Sequence, residues 1–379
     1  MARRGRPRPL ADPDDRSDDD RPAPQNRRET AASRAAETRR RNRLHLLERI
    51  RTRTPQQDDA VGVLPTLFVQ AALPHREVHA LGPDGEPLAT PTGRLAPDGS
   101  LEMEPVLASH YQATSGHLTL TVRAGLQPGP TAAHPPVSRG VPFGGLARAL
   151  LVHLVTEARL RDSQTVDLGK TISAFCARLD ITPSGGEKGS IPRLTRQLLR
   201  LATCSINYEW TERRGYGAAP PDRDLHGDNV FVARSYRFWH RASTPGSEPA
   251  DGGTIRLSDD FWRDVTGRCV PVDLRKVHFL RTHPTALDLY AWLTRRLSKM
   301  DDDAETRVVL NYDQLHGHLG SHYATDTTGS LTRAGQQEFG RAVRHALRVV
   351  RAAWPALHVE TPRGRIEVHA TGPDIPRPS

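Results

Sequence analysis

The sequence is poor in cysteine and aromatic side chains, and it has no long apolar segment. Its three cysteines, Cys176, Cys204 and Cys269, are far apart and form no CxxC pair. We therefore expect neither a disulfide framework nor a zinc ribbon, and we interpret these cysteines as reduced core residues. No apolar run approaches the roughly 20 residues that span a bilayer, and the N-terminal sequence lacks the apolar stretch of a secretory signal. These absences predict a cytoplasmic protein that does not bind membranes.

Composition points to a chain that is only partly packed and that favours a polyanionic partner. Hydrophobic residues make up 36% of the chain and aromatic residues 5%, which is low for a wholly globular protein. Lysine and arginine number 53 against 44 acidic residues, giving a formal charge of +9. Such an excess is typical of proteins that bind nucleic acid or an anionic surface, although many basic proteins bind neither.

The first 140 residues lack a clear core pattern. Residues 1–57 are rich in Arg, Pro and Asp and are expected to form a disordered basic tail with a helix through Glu29–Arg51. Such a tail would serve either as a solubilising arm or as an arm that tracks phosphates. Residues 58–140 contain many turn signals and a strand-like HLTLTVRAG, so they predict a small β-rich extension that ends in a linker.

From residue 141 onwards, one order of elements occurs twice. Each copy predicts a helix, a strand, a second helix, a basic helix and then β-rich sequence. In the first copy, residues 141–245, these are Gly144–Arg161, Thr165–Gly169, KTISAFCARLD, Ile191–Thr203, and the pair CSINYEW and NVFVARSYRFW. In the second copy, residues 246–372, they are Pro284–Met300, Thr306–Asn311, YDQLHGHLG, Gln336–Trp354 and the hairpin ALHVETPRGRIEVHA. Residues 373–379 are expected to be a disordered C-terminus.

This order is that of a winged helix, in which the basic helix reads DNA and the hairpin is the wing. The predicted fold is therefore mainly α with β-hairpin wings (α+β). Two tandem winged-helix domains would follow the basic tail and the β-rich extension.

The two basic helices are the predicted DNA-reading elements. Each has an apolar stripe on one side and basic or amide side chains on the other, where arginine can pair with guanine and glutamine with adenine. The stripes are Ile191, Leu194, Leu198 and Leu201 in the first helix, and Phe339, Val343, Leu347 and Val350 in the second. The predicted DNA contacts are Arg193, Arg196, Gln197 and Arg200, and then Arg341, Arg344, Arg348 and Arg351.

The plainer alternative is an ordinary amphipathic helix with a solvated cationic face. Acidic residues are nearly absent from both helices, Glu338 being the single acid in the second. An exposed helix selected only for stability would usually mix charges of both signs, so the imbalance favours DNA contact.

Other candidate contacts lie at the helix start and at the wing tips. Ser190 is expected to cap the first basic helix and to lie at the DNA. Arginines at a hairpin tip suit phosphate contact or minor-groove insertion, but an exposed turn explains each of them equally well. These wing candidates are Arg213, Arg214, Arg363 and Arg365.

No catalytic, cofactor or metal site is predicted. The run HGHLGSHY contains His316, His318, His322 and Tyr323, and paired histidines with a tyrosine occur in replication nickases. Here, however, Gly317 separates the first two histidines on a predicted helix. SGGEKGS lacks the spacing of a phosphate-binding loop, and the DDD at Asp301–Asp303 is interpreted as a loop.

Several separated motifs resemble one known family. The segments LGKTISAFCARLDITPSGG, GSIPRLTRQLLRL and PTALDLYAWLTRRL occur in the order found in plasmid-encoded RepA replication initiators, and the resemblance extends over about Pro142–Val368. It implies a cytoplasmic initiator that binds repeated double-stranded sites at a plasmid origin and helps to open AT-rich DNA. It also implies recruitment of the host initiator and helicase, often autorepression, and no cofactor or catalytic residue. It leaves a homodimer open and assigns no individual base contact. The alternatives are a winged-helix transcriptional regulator and a nickase-type replication enzyme.

Overall fold

The computed structural model describes residues 24–96, 98–129, 131, 133–214, 222–239, 252–267, 269–319, 323–326 and 330–375. Within these ranges the chain forms ten α-helices and six small sheets. It divides into two compact units, residues 1–46 and residues 47–379. None of the helices in the described ranges combines the length and the apolar character needed to cross a membrane.

The segment before residue 141 contains a long helix and several short strands. Its elements are α1 (Pro24–Thr52), β1 (Val61–Pro65), α2 (Thr66–Gln70), β2 (Ala89–Leu95), β3 (Leu101–Pro105), β4 (His110–Ser115), β5 (Leu118–Arg123), β6 (Leu126–Gln127) and β7 (Val137–Ser138). Helix α1 includes the helix expected within the tail, and β5 is the strand expected from HLTLTVRAG. Along β5, the inward side chains of Leu118, Leu120 and Val122 alternate with more exposed neighbours, as the sequence pattern requires.

The first copy of the repeat forms its expected helices and its first strand. The elements are α3 (Gly144–Leu160), β8 (Thr165–Gly169), α4 (Ile172–Arg178), α5 (Ser190–Thr203), β9 (Ser205–Arg214), β10 (Asp222–Phe231), β11 (Ala233–Arg237) and β12 (Gly253–Leu257). Helix α3 is buried on most of its surface because other elements pack around it. It begins close to another backbone: a Cβ on Gly145 would lie 1.9 Å from the carbonyl oxygen of Arg281, so only glycine fits there.

The second copy forms its predicted elements and, ahead of them, two helices and a strand that were not predicted. They are α6 (Asp259–Gly267), β13 (Cys269–Asp273), α7 (Leu274–Leu280), α8 (Pro284–Asp302), β14 (Arg307–Asn311), α9 (Tyr312–Leu319), α10 (Arg333–Ala353), β15 (Val359–Glu360) and β16 (Arg365–His369). Helix α10 starts earlier than the expected Gln336. The reason is that the Thr332 side chain caps it and accepts a hydrogen bond from the Gly335 amide at 3.1 Å.

In the first copy, the strand pairing differs from the one expected for its wing. In the second copy, β14, β16 and β15 form one antiparallel sheet, with β16 in the centre. In the first copy, the equivalent sheet is β8, β12 and β11, with β12 in the centre. The hairpin β9–β10, which the sequence suggested as the wing, instead joins β5 and β4 in a four-stranded sheet. The expected domain boundary at residue 245 therefore falls between two paired strands.

The N-terminal extension is built into the body of the fold. Strand β1 pairs antiparallel with β13, from Val61 opposite Asp273 to Pro65 opposite Cys269. Strand β5 pairs with β9, from Leu118 opposite Trp210 to Arg123 opposite Ser205. Backbone hydrogen bonds of both ladders thus link residues far apart in sequence, so the extension shares its sheets with the rest of unit 47–379.

A buried ion pair joins the first helices of the two copies. Arg148 on α3 is 5% exposed, and its Nε and Nη2 donate to the two carboxylate oxygens of Asp288 on α8 at 2.5 and 2.7 Å. The same guanidinium donates to the carbonyls of Leu73, Pro74 and Gly144. His75 Nε2 lies 2.7 Å from Asp288 Oδ2. Burial acts to raise the pKa of Asp288, but Arg148 and His75 outweigh it and hold the pKa below its usual range.

The last described residues also pack against this body. Asp374, which composition placed in a disordered C-terminus, accepts a hydrogen bond from the Tyr290 hydroxyl at 2.8 Å and pairs with Lys276. Ile375 is 6% exposed. The chain is therefore held in place at least to residue 375.

Removal of Arg148 tests the importance of the buried pair. We expect Arg148→Ala to lower the free energy of unfolding by about 3–5 kcal/mol, because it leaves the Asp288 carboxylate buried without its partner. Chemical denaturation of the full chain measures this loss. The double variant Arg148→Met/Asp288→Leu removes both charges and should lose less, and Arg193→Ala, at an exposed arginine, is the matched control. A loss below about 1 kcal/mol in Arg148→Ala would contradict this role.

A buried neutral histidine on α3 predicts a loss of stability in acid. His153 is 8% exposed and packs edge-on against Phe175, with ring centroids 5.4 Å apart. Burial, followed by the charges of Arg178 and Arg161, lowers its pKa from 6.5 to about 4. The unfolded chain therefore binds a proton that the folded chain excludes, and His153 contributes a loss of stability as pH falls from about 6.5 to 4. His153→Phe should flatten the stability-versus-pH curve in that range, as measured by urea denaturation.

Candidate nucleic-acid interface

Helix α5 has the buried stripe that its sequence predicts. Leu194, Leu198 and Leu201 are at most 1% exposed, and Ile191 at the start of the stripe is half-buried. Residues at spacings of four and three positions lie on one face of a helix, so this stripe anchors α5 against the fold. The opposite face is left for solvent or for a ligand.

The helix start differs from the expectation. Ser190 is the first residue of α5, and the N-cap is Gly189, which has no side chain to donate or accept. The Ser190 hydroxyl instead accepts from the Ser184 amide at 2.9 Å and donates to the Thr182 carbonyl at 2.7 Å. Its side chain closes the turn that leads into the helix, so the prediction of an N-cap at Ser190 is wrong.

The four predicted contacts on α5 do not share one exposed face. Arg193 and Arg196 are exposed, whereas Gln197 is 5% and Arg200 2% exposed. The expected placement of Gln197 and Arg200 on the solvent side is therefore wrong. Gln197 lies three residues after Leu194, a spacing that already belongs to the buried face, so the sequence contained this signal.

Gln197 and Arg200 hold the segment that precedes α3. Gln197 Oε1 accepts the Phe143 amide at 3.0 Å. Arg200 Nε donates to the Arg139 carbonyl and its Nη2 to Glu77 Oε1, both at 2.6 Å, and its guanidinium lies 5.2 Å from the centre of the Phe143 ring. These long polar side chains thus connect α5 to the linker and to the extension.

Helix α10 presents the predicted basic face. Its stripe of Phe339, Val343, Leu347 and Val350 is at most 3% exposed. Arg341, Arg344 and Arg348 are exposed, and no carboxylate forms an ion pair with them in the part of the chain that the structure describes. Arg351 is also exposed, but its Nη2 donates to the Val359 carbonyl, so this guanidinium is tied to the hairpin.

The hairpin β15–β16 has one free arginine near its tip. Arg363 is exposed and precedes Gly364, whose φ of +76° makes the turn. Arg365 is half-exposed, and its Nε donates to Glu367 Oε1 at 2.8 Å. Arg307 on β14 pairs with the same carboxylate. The tip therefore offers Arg363 to a ligand more readily than Arg365.

The other pair of wing candidates lies on a different hairpin. Arg213 and Arg214 end strand β9, and their side chains are outside the described residues. Because β9–β10 belongs to the sheet of β4 and β5, these arginines are not at the tip of the hairpin that pairs with β8. The equivalent tip lies between β11 and β12, and most of it falls outside the described residues.

The histidines of HGHLGSHY contact different partners. His316 packs against Tyr323 and Phe339, with ring centroids 5.9 and 5.4 Å away. His318 Nδ1 lies 2.8 Å from the Ser115 hydroxyl, and its ring is 5.9 Å from Trp292. Both lie on helix α9, as predicted, and His322 is outside the described residues. Among the described residues, His316 and His318 thus contact different side chains.

Comparison with known proteins finds a match to a sequence family and distant likenesses to solved structures. Residues 141–314 match the sequence model of a family described as "Plasmid encoded RepA protein". No curated protein matches the sequence at a significant level. A crystal structure of domains 2 and 3 of RctB is 12% identical over 73% of this chain and 94% of that chain, with a TM-score of 0.42. A second structure of RctB domains 2–3 is 10% identical over 69% and 92%, with a TM-score of 0.34.

Substitutions on the buried and the exposed side of α5 should lower the free energy of unfolding by very different amounts. We expect Arg200→Ala to lower the free energy of unfolding by about 2–4 kcal/mol, because the Arg139 carbonyl and the partly exposed Glu77 carboxylate lose the buried guanidinium that donates to both. The matched variant Arg196→Ala, one turn earlier and exposed, should change stability by less than about 0.5 kcal/mol. Urea denaturation of both proteins makes the comparison, and equal losses would contradict the burial assigned to Arg200.

Proposed function

We propose that this chain is a plasmid replication initiator, because residues 141–314 match the sequence model of plasmid-encoded RepA proteins. It binds repeated double-stranded sequences at the plasmid origin through two winged-helix units. It then promotes opening of the adjacent AT-rich DNA and recruits host replication proteins, namely an initiator and a helicase. The protein acts in the cytoplasm by binding and deforming DNA; it catalyses no reaction and binds no membrane.

The basic face of α10 is the observation that carries this proposal. Arg341, Arg344 and Arg348 lie three and four residues apart on the side opposite the buried stripe. A helix of this kind fits the major groove, where a guanidinium donates two hydrogen bonds to guanine O6 and N7. The guanidinium groups meet no paired carboxylate among the described residues, so phosphate and base edges are the acceptors that would satisfy them.

The elements around α10 support its assignment as the recognition helix of a winged helix. The order of elements is helix α8, strand β14, helix α9, helix α10 and then the hairpin β15–β16. Strand β16 of this hairpin pairs with β14 and is the central strand of the sheet. In this arrangement the hairpin lies beside the recognition helix and its tip reaches the DNA backbone. Arg363 at the tip is therefore assigned to phosphate contact, and Arg365 to support of the hairpin.

The first copy supports a second DNA-binding unit of the same kind. The order of elements is helix α3, strand β8, helix α4, helix α5 and, after the hairpin β9–β10, the strands β11 and β12. Strand β12 pairs with β8. In this unit Arg193 and Arg196 are assigned to the DNA, whereas Gln197 and Arg200 keep their internal contacts. Two such units on successive major-groove faces would read a repeat of about 20 base pairs.

Two alternative functions make different demands on the chain. A winged-helix regulator or autorepressor would bind the same DNA but would not support replication. A nickase would need a catalytic tyrosine beside paired histidines, and the separate packing of His316 and His318 does not favour it.

Charge reversal on α10 tests DNA binding directly. We expect Arg344→Glu to abolish specific binding to an origin repeat, because one guanine contact contributes about 1–3 kcal/mol and the new carboxylate repels phosphate. Arg196→Glu tests α5 in the same way. Fluorescence anisotropy at several salt concentrations measures both, and the matched control is Arg94→Glu at an exposed arginine on β2.

Retention of specific binding by both variants would overturn the assignment of these helices, while unchanged melting temperatures would show that the fold is intact. Plasmid maintenance by the wild-type gene in a host that lacks another initiator separates an initiator from a regulator. Incubation of supercoiled origin plasmid with the protein and Mg²⁺ tests the nickase alternative, and site-specific nicking would contradict the non-catalytic mechanism.

A further inference from the structure

Two histidines and a glutamate meet at the base of the hairpin β15–β16. His358 directly precedes β15, Glu360 ends that strand, and His369 ends β16. The His369 amide donates to the His358 carbonyl at 3.1 Å, and Glu360 lies opposite Glu367 in the ladder. Residues opposite each other, and residues two apart on one strand, point to the same face of a sheet. The two imidazoles and the Glu360 carboxylate therefore share one face.

The three side chains converge on one point. The nearest Glu360 oxygen, Oε1, lies 3.5 Å from His358 Nε2 and 3.9 Å from His369 Nε2. One ligand atom from each residue lies within 4.8 Å of the other two. The imidazole rings are stacked, with centroids 4.2 Å apart and an interplanar angle of 16°. The ligand atoms around a tetrahedral metal ion are about 3.3 Å apart, so the distance from Glu360 to His358 is near this value and the other ligand atoms would have to move closer.

A second observation points to a cation at this place. His369 Nε2 is shielded from solvent and has no hydrogen-bond partner in the part of the chain that the structure describes. A polar nitrogen in that position usually has a partner. The Glu360 Oε1 atom is 3.9 Å from this nitrogen, which is too far for a hydrogen bond.

The charges on this face also favour a cation. Glu367 has two arginine partners, Arg307 and Arg365. Glu360, directly opposite it, is paired among the described residues only with the two histidines. Two carboxylates opposite each other in a ladder repel. A divalent ion bound at Glu360 would supply positive charge between the two facing carboxylates.

We propose that His358, Glu360 and His369 bind a divalent transition-metal ion of the zinc type. The two imidazole nitrogens and one carboxylate oxygen are ligands that Zn²⁺ prefers, and water would complete the coordination. The two stacked imidazoles would have to turn out of their parallel arrangement so that the lone pairs of both nitrogens point at one ion, and the exposure of the three side chains leaves room for this. Hard ions such as Mg²⁺ prefer oxygen ligands and bind weakly here.

The bound ion would clamp the base of the hairpin. Strand β15 has two residues, so few backbone hydrogen bonds hold it to β16. A metal ion that joins His358 on one strand to His369 on the other adds a cross-link at the end opposite the Arg363 tip. The site depends only on this local geometry, so it stands or fails independently of the proposed DNA binding.

Calorimetric titration of the untagged full-length protein with Zn²⁺ tests the site. We expect one ion to bind per chain with micromolar affinity and to raise the melting temperature, since a ligand that binds only the folded chain stabilises it. Co²⁺ should bind at the same place and give the visible absorption of a site with nitrogen and oxygen ligands. Mg²⁺ at the same concentration should produce neither signal.

The variants identify the ligands. His358→Phe/His369→Phe retains two stacked aromatic rings but removes both nitrogens, and Glu360→Gln removes the charge with little change in shape. We expect each to weaken Zn²⁺ binding at least about tenfold, whereas the matched control His117→Ala, at an exposed histidine in the β4–β5 turn, should bind like the wild type. If the wild type binds no Zn²⁺, or if the double phenylalanine variant binds it equally well, the assignment is overturned.

Discussion

The buried pair of Arg148 and Asp288 is the contact on which the arrangement of the two repeated units depends. It joins α3 to α8, the first helices of the two copies, and the same guanidinium binds the backbone of residues 73 and 74. Helix α5 packs on α3, and α10 packs on α8. The two basic helices are thus supported by helices that one ion pair links. A pair that is desolvated in this way tolerates little displacement, because a buried charge without its partner is costly.

The same constraint explains the different roles of similar side chains on α5 and α10. An arginine on such a helix either meets an acceptor inside the fold or remains in solvent. Arg200 meets the Arg139 carbonyl and Glu77, because the linker before α3 crosses that side of α5. The matching arginine of α10 is Arg348, which is exposed and forms no ion pair among the described residues, so the basic face of α10 stays open. The open face, not the number of arginines, is what distinguishes α10 from α5.

Long-range strand pairing shapes the first unit more than the second. In the second unit, the hairpin that follows the basic helix pairs directly with the unit's own first strand. In the first unit, β9 instead adds to β5 from the extension, and the chain must pass through β10 before β11 and β12 reach β8. The extension therefore pairs with the strand that directly follows the basic helix of this unit. Its inclusion explains why residues 58–140 share sheets with the body and do not form a separate module.

Periodicity alone was enough to predict the main helices of both copies, the strands β8 and β14, and the buried stripes of α5 and α10. These features depend on local spacing of apolar residues, which is fixed along the chain. The sequence also showed the basic face of α10 and placed Arg363 at a hairpin tip. Neither feature requires knowledge of distant partners.

The tertiary structure decided which polar residues remain available. Gln197 and Arg200 lie inside because the linker passes over them, and Arg213 and Arg214 are not at the wing because β9 pairs with β5. The approach of His358 to His369 required the register of β15 and β16, since eleven positions of sequence separate the two imidazoles. Each of these outcomes depends on a partner outside the helix or strand that carries the residue. Local pattern determines which face of an element is apolar, but only the packing of distant segments determines what covers the rest.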